Sequence, residues 1–234
     1  MGERSISRLR CDARFERALA KRGFGAVAGL DEAGRGSLFG PVVAAAVILS
    51  PDARLRGVRD SKELVPSIRE GLSCEIKARA VAWAVGEASA AEIDRINIYQ
   101  ASRLAMKRAV QGLGVSPDFL LVDALTLDLP QPQRALIKGD ARSRTIAAAS
   151  IVAKVYRDAC MREWDELYPQ YGLARDKGYG TREHLAALAE FGPTAHHRFT
   201  FEPVSRFLPP RQMELALAIG AASEAAPREA GGWR

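Results

Sequence analysis

Two short apolar runs on either side of a glycine-rich turn constrain this chain more than any other feature. Residues 26–30 (AVAGL) and 41–49 (PVVAAAVIL) are continuously apolar and partly β-branched, too short for a buried helix pair. The segment between them carries Gly34, Gly36 and Gly40. Together they read as a hairpin at the centre of a sheet. The first run ends directly in Asp31-Glu32. Burying an unpaired charge is costly, so a carboxylate pair against an apolar strand needs a reason.

The rest of the chain supplies layers for that sheet. Residues 12–22 form a short helix with Asp12 as N-cap and Gly23 as terminator. The spacing Ile68, Leu72, Ile76 predicts a helix over 66–80, followed by a third strand at 81–85. Residues 90–112 read as helix in two pieces, closing at Gly112 and Gly114. A fourth strand, Phe119–Val122, has Asp123 at its C-terminal end, and a fifth covers Arg134–Lys138. Residues 143–167 form a long helix whose Ala147, Ala148, Ala149 and Ala153 allow close packing on the sheet, and a further helix spans 182–191. This order implies an α/β fold with helices accumulating from about residue 143. One domain is expected over 1–208, with 209–234 an extension whose composition suggests fraying.

Composition removes several classes. With 234 residues, 47% hydrophobic and a net charge of +6, the chain is too apolar to be disordered as a whole. Cys11, Cys74 and Cys160 are odd in number and far apart, which fits neither a disulfide framework nor a structural zinc site. The N-terminus is studded with charge and lacks an apolar signal core, and no run of about 18 apolar residues exists. The expectation is a reduced, cytoplasmic, soluble protein without membrane contact, and with no coiled-coil or repeat signal against a monomer. The basic excess, mostly arginine, fits an anionic partner or Arg-rich codon usage equally well.

Placement of the acids says more than their number. Asp31 and Glu32 end strand one, Asp123 ends strand four, and Asp140 follows strand five within KGDARS. Strand ends converging on one sheet edge would gather four carboxylates, and like charges raise one another's pKa unless a cation lies between them. Mg²⁺ and Mn²⁺ prefer such oxygen ligands, and a pair of them suits hydrolysis of a phosphodiester. Each Asp taken singly is equally a turn or cap residue.

At this point the resemblance is specific. AGLDEAGRGSLFGPVVAAAVIL (28–49) resembles the N-terminal signature of the ribonuclease HII family, the type 2 ribonucleases H. DSKEL (60–64), LLVDAL (120–125), KGDARSRTIAAASIVAKVYRD (138–158), YPQYG (168–172), KGYGT (177–181) and HHRFTFEPV (196–204) resemble further blocks in the family's order, together covering roughly residues 24–208. The resemblance implies a ribonuclease H-like fold with a central mixed five-stranded sheet. It also implies a metal-dependent endoribonuclease that cuts RNA in RNA/DNA hybrids and 5′ of single ribonucleotides in duplex DNA, leaving 3′-hydroxyl and 5′-phosphate ends. Asp31, Glu32, Asp123 and Asp140 would be catalytic and hold Mn²⁺ or Mg²⁺. The backbone of Gly34-Arg35-Gly36 would approach the 2′-hydroxyl, the only handle that separates RNA from DNA. Tyr179 would stack on the following deoxyribose, with Gly180 standing where many relatives have Pro.

Ser150, Lys154 and Arg157 share one face of the long helix at spacings of four and three. With Lys62 and Lys138 they read as phosphate contacts or as a solvated charged face. For Arg157 an ion pair with Asp158 is an equal expectation. His196 and His197 lack ligand spacing and suit a loop or helix cap. Two rivals differ in kind. A ribonuclease HIII would need an added N-terminal domain, for which about 25 residues before the first strand are too few. A non-catalytic nucleic-acid binder would gain nothing from four acids, since phosphate affinity comes from positive charge.

Overall fold

The computed structural model describes residues 11–208 except 51–52, 54, 56 and 59–63. Lys62 and the 209–234 extension therefore lie outside the described residues. The helices are α1 (Arg14–Ala20), α2 (Pro66–Arg79), α3 (Ala90–Gln111), α4 (Arg144–Leu167), α5 (Leu173–Asp176), α6 (Arg182–Phe191) and α7 (Glu202–Ser205). The strands are β1 (Val27–Ala33), β2 (Val42–Leu49), β3 (Ala80–Ala88), β4 (Phe119–Asp123) and β5 (Gln133–Leu136).

They form one five-stranded sheet in the order β3-β2-β1-β4-β5. β1 and β2 are the antiparallel hairpin, whereas β1–β4 and β4–β5 are parallel, so the sheet is mixed. β2 is buried along its whole length, as a central apolar strand should be. Asp31 and Glu32 lie at the end of β1, where the pairing continues through Asp31↔Ala45, Glu32↔Ala44 and Ala33↔Val43. Alanine opposite each carboxylate leaves room that a larger β-branched partner would fill. α3 is broken at Asn97 (φ 63, ψ 165), which gives the two expected pieces. α1 is shorter than 12–22, yet Asp12 Oδ1 accepts the Arg14 amide at 2.9 Å and Gly23 (φ 94) ends the helical turn.

Packing divides the chain into two compact units. The first takes residues up to Ala33, Val43–Glu87 and Arg103–Arg157, and so holds the sheet. Its core sets β2 side chains against Leu72 and Ile76 of α2 and the buried alanines 147–149 and 153 of α4, as the small residues predict. Close approach is enforced by Gly29, where a Cβ would sit 2.3 Å from the Thr145 carbonyl carbon. Glu16 of α1 is a cap in trans: its Oε1 accepts from Ser143 Oγ (2.6 Å), Thr145 N (3.0 Å) and Thr145 Oγ1 (2.8 Å) at the start of α4.

The second unit takes Gly34–Val42, Ala88–Ser102 and the residues from Asp158 onward. Its core gathers Leu38, Phe39, Met161, Tyr171, Leu173, Leu188 and Val204. Asp94 holds it together from α3, accepting from Phe199 N (2.9 Å), Thr200 N (2.9 Å) and Thr200 Oγ1 (2.7 Å).

Two glycine substitutions should move stability in opposite directions. Gly29→Ala drives a methyl into α4 backbone and should cost about 3 kcal/mol. Gly71→Ala, at an exposed site in α2 with nothing near its Cβ, should add about 0.5–1 kcal/mol. Urea midpoints at constant slope measure both; equal midpoints would contradict the packing described for Gly29.

Candidate active site

The acidic site is built by strand register. β1 and β4 run parallel with Leu30 opposite Val122, so the next residues, Asp31 and Asp123, reach the same sheet edge. Asp31 is 6% exposed. Its carboxyl is held well above the usual carboxylate range by burial first, then by the charges of Glu32 and Asp123. Hydrogen bonds from the Ser150 hydroxyl and the Glu32 amide oppose that rise without cancelling it.

A backbone amide aims each aspartate. Asp31 Oδ1 accepts Glu32 N at 2.7 Å, Asp123 Oδ1 accepts Gly139 N at 2.6 Å, and Asp140 Oδ1 accepts Ala141 N at 2.9 Å. Gly139 is required here, since a Cβ would fall 2.6 Å from Ile146 Cδ1 and 3.1 Å from Asp123 Oδ1. Ala124 (φ 50) follows Asp123, and Lys138 (φ 54) precedes Gly139-Asp140. Both are non-glycine residues in the left-handed region, each costing about 1 kcal/mol, and such strain is concentrated at functional sites.

Asp31, Glu32 and Asp123 thus form one electrostatic group. Asp140 is tied to it through the Gly139 amide, and its own field is felt at Cys11. Burial, with Glu16, Asp12 and Asp140, pushes the Cys11 thiol up to about 12. Among the described residues no three His, Cys, Asp or Glu side chains are drawn into a closed ligand set. By chemistry the quartet fits a hard divalent cation: every donor is a carboxylate oxygen, and burial, Glu32 and Asp123 destabilise the ionised form of Asp31 until positive charge arrives.

On α4, Ser150 is buried with its hydroxyl on Asp31, and Lys154 is half-buried. Arg157 is fully buried, which corrects its reading as part of a solvated face. Lys138 is exposed.

In the second unit, two loops lie side by side. Leu38 N donates to Gly178 O at 2.8 Å, and Ser37 Oγ lies 2.9 Å from the carbonyls of Phe39 and Gly178. Gly178 (φ 75) admits this contact, for a Cβ would meet Ser37 Oγ at 2.8 Å. Tyr179 is 40% exposed, and the position of a Gly36 Cβ would be 3.9 Å from its Cε1. The Gly34-Arg35-Gly36 turn and Tyr179 are therefore neighbours through Gly36.

His197 lies in the loop after α6, and it is buried there. It is 1% exposed, edge-on to Phe39 at 4.9 Å. Its Nδ1 accepts Thr194 N at 2.9 Å, so its proton sits on Nε2 and points at His184 Nε2, 3.1 Å away. His184 then donates from Nδ1 to Tyr179 O at 3.1 Å, with Asp176 Oδ2 at 3.6 Å. Burial lowers both imidazoles, His197 to about 3. His196 instead packs on Trp164, ring centres 4.2 Å apart. His184 escaped the sequence reading, although Ala187 and Leu188 mark it as the inward position of α6.

Solved structures that share this fold include ribonuclease H2 from Pyrococcus horikoshii OT3, with TM-score 0.68 and 26% identity over 80% of this chain and 98% of that one. A second is the ribonuclease HII of a PCNA complex from Archaeoglobus fulgidus, with TM-score 0.65 and 28% identity over 78% and 97%. Fold and acidic edge together define a ribonuclease of the type 2 ribonuclease H class. The family model "Ribonuclease HII" matches residues 28–204. Ribonuclease HII of Solibacter usitatus (strain Ellin6076) is 57% identical over 220 residues, 92% of this chain and 96% of that protein. That of Koribacter versatilis (strain Ellin345) is 49% identical over 97% and 89%. The chain belongs to the ribonuclease HII family. It is a hydrolase, an endoribonuclease that cleaves RNA in RNA/DNA hybrids.

Two titrations follow from the site. Asp31 has a raised folded pKa, so its contribution is complete below its unfolded value of 3.8 and is lost as pH rises through the folded value. Asp31→Asn should therefore unfold later than the wild type at pH 8 without divalent ions, with the gain shrinking toward pH 4. His197 has a depressed folded pKa, so its stabilisation is present above 6.5 and lost as pH falls from 6.5 toward 3. His197→Gln should flatten the acid limb of urea midpoint against pH; an unchanged limb would contradict a neutral buried pair.

Proposed function

We propose that Asp31, Glu32, Asp123 and Asp140 are the catalytic, metal-holding residues, and that the enzyme cuts 5′ of a ribonucleotide in duplex DNA as well as within longer hybrids, leaving 3′-hydroxyl and 5′-phosphate ends. The observation that carries this reading is the raised Asp31 carboxyl: burial beside Glu32 and Asp123 keeps a cost that a divalent cation relieves. Mn²⁺ or Mg²⁺ held there would supply Lewis acidity, making water a better nucleophile and screening the phosphate.

The chain's own groups then have distinct tasks. Backbone amides and the Ser150 hydroxyl hold the aspartates in fixed directions before substrate arrives. This assigns Ser150 to the carboxylates first and to substrate through them. Gly34, Arg35 and Gly36 offer backbone to the 2′-hydroxyl, where the absence of Cβ permits approach. Tyr179, exposed beside Gly36, offers its ring to the next deoxyribose, where an added hydroxyl would clash. Lys154 and Lys62 are assigned to phosphates. On sequence grounds the enzyme acts as a monomer in the cytoplasm; no helix among the described residues is long and apolar enough to cross a membrane.

The direct test is cleavage of a duplex carrying one ribonucleotide, with Mg²⁺ or Mn²⁺ and mapping of the ends. Asp123→Asn should lower the rate about a hundredfold or more; retained cleavage would overturn the assignment. In a thermal melt, either ion should stabilise the wild type, since a ligand that binds only the native state raises the midpoint. Asp31→Asn should lose most of that increment.

A further inference from the structure

Arg198 lies in the second unit, is 0% exposed, and packs its guanidinium 5.1 Å from the Phe201 ring centre. Three of its nitrogens point into one loop. Nη2 donates to Gly34 O at 2.7 Å, Nη1 to Arg35 O at 2.8 Å, and Nε to Gly40 O at 3.1 Å. Its own amide donates to Leu38 O at 2.9 Å, so the residue is fixed to the loop it braces.

The consequence lies on the far side of the loop. No cis peptide bond occurs among the described residues, and in a trans, planar peptide the N–H points opposite to the C=O. With Gly34 O and Arg35 O both turned to the guanidinium, the N–H groups of Arg35 and Gly36 are turned away from it together. Gly34 (φ 90) makes the reversal possible, and Ser37 N closes the turn on Gly34 O at 3.3 Å. Consecutive N–H groups on one side form a donor pair for an oxygen ligand.

We infer that Arg198 is the positioning residue that sets the direction of the Arg35 and Gly36 amides, and thereby the preference for a 2′-hydroxyl over a 2′-hydrogen. This rests on the assignment of Gly34–Gly36 to the 2′-hydroxyl proposed above. The fork geometry is essential: a guanidinium reaches three carbonyls from one plane, whereas an ammonium at the end of a Lys chain is a point donor. Lys therefore keeps charge and approximate size while losing the brace.

The test is binding, by fluorescence anisotropy in Ca²⁺, of two duplexes identical except for one ribonucleotide. Asp123→Asn serves as the parent so that the ribonucleotide strand survives. The ratio of the two dissociation constants is the readout. Arg198→Lys in this parent should reduce the ratio about tenfold while affinity for the all-DNA duplex changes less than about twofold. A purely structural role would weaken both duplexes alike. A large ratio left undiminished by Arg198→Lys overturns the inference alone. A ratio near one in the parent overturns the assignment of Gly34–Gly36, and the inference with it.

A second measurement needs no Arg198 variant. Amide exchange followed by NMR should show Arg35 and Gly36 N–H protected by the ribonucleotide duplex and not by the all-DNA duplex. Equal protection by both would overturn the inference even if Arg198→Lys failed to fold.

Discussion

Mutual repulsion among Asp31, Glu32 and Asp123 is the constraint around which the first unit is arranged. Three carboxylates at one sheet edge are a liability in a folded chain, and the register that places them there cannot slip by one residue without turning β1 inside out. Several neighbours make sense only in that light. Ala44 and Ala45 oppose the two acids across the hairpin. Gly139 clears the space beside Asp123 Oδ1, and its amide takes up that oxygen. Ala124 and Lys138 accept left-handed backbone so that the strand ends turn at the required residue. The site is held in a costly state by the packing beneath it, above all β1 against the first turn of α4 at Gly29 and Thr145.

The second unit solves a different problem: it holds irregular loops still without a strand ladder. Polar side chains replace the ladder. Arg198 braces 34–40 through carbonyls, Ser37 ties that loop to Gly178, and the His197–His184 relay ends on the Tyr179 carbonyl. Each donor and acceptor in the relay is assigned once. A proton added to His184 Nε2 would face the His197 Nε2–H at 3.1 Å, and one added to His197 Nδ1 would face the Thr194 amide at 2.9 Å. Such networks specify one arrangement because a half-satisfied buried network is expensive.

Strands, the broken α3 and the long α4 were legible because periodicity and punctuation act locally: apolar runs, glycines and small residues each act within a few positions. The convergence of Asp31 and Asp123 was legible only as a consequence of topology, since nothing local pairs residues so far apart in sequence. The carboxylate caps were not legible. Glu16 caps α4 from α1, and Asp94 ties down Phe199 and Thr200 from α3. A residue that satisfies another element's amides looks, in sequence, like an ordinary surface acid. The His184–His197 contact was not legible for the same reason, because each ring's partner is the other.

The same blindness bears on the basic excess of the chain. A charge of +6 suggests an attractive surface for a polyanion only if the charges are on the surface. Arg157 and Arg198 are fully buried, and Arg69 is nearly so, with Nη2 on Leu64 O at 2.7 Å. These guanidiniums act as donors to the fold, and their fields reach a duplex only through protein. Buried Asp31, Asp94, Asp140 and Asp176 offset part of that charge from inside. Attraction for nucleic acid must therefore come from exposed residues, and the net number counts interior and surface charge without distinction. A planar fork that can bind three carbonyls explains why arginine, rather than lysine, fills Arg198, and that reason owes nothing to phosphate.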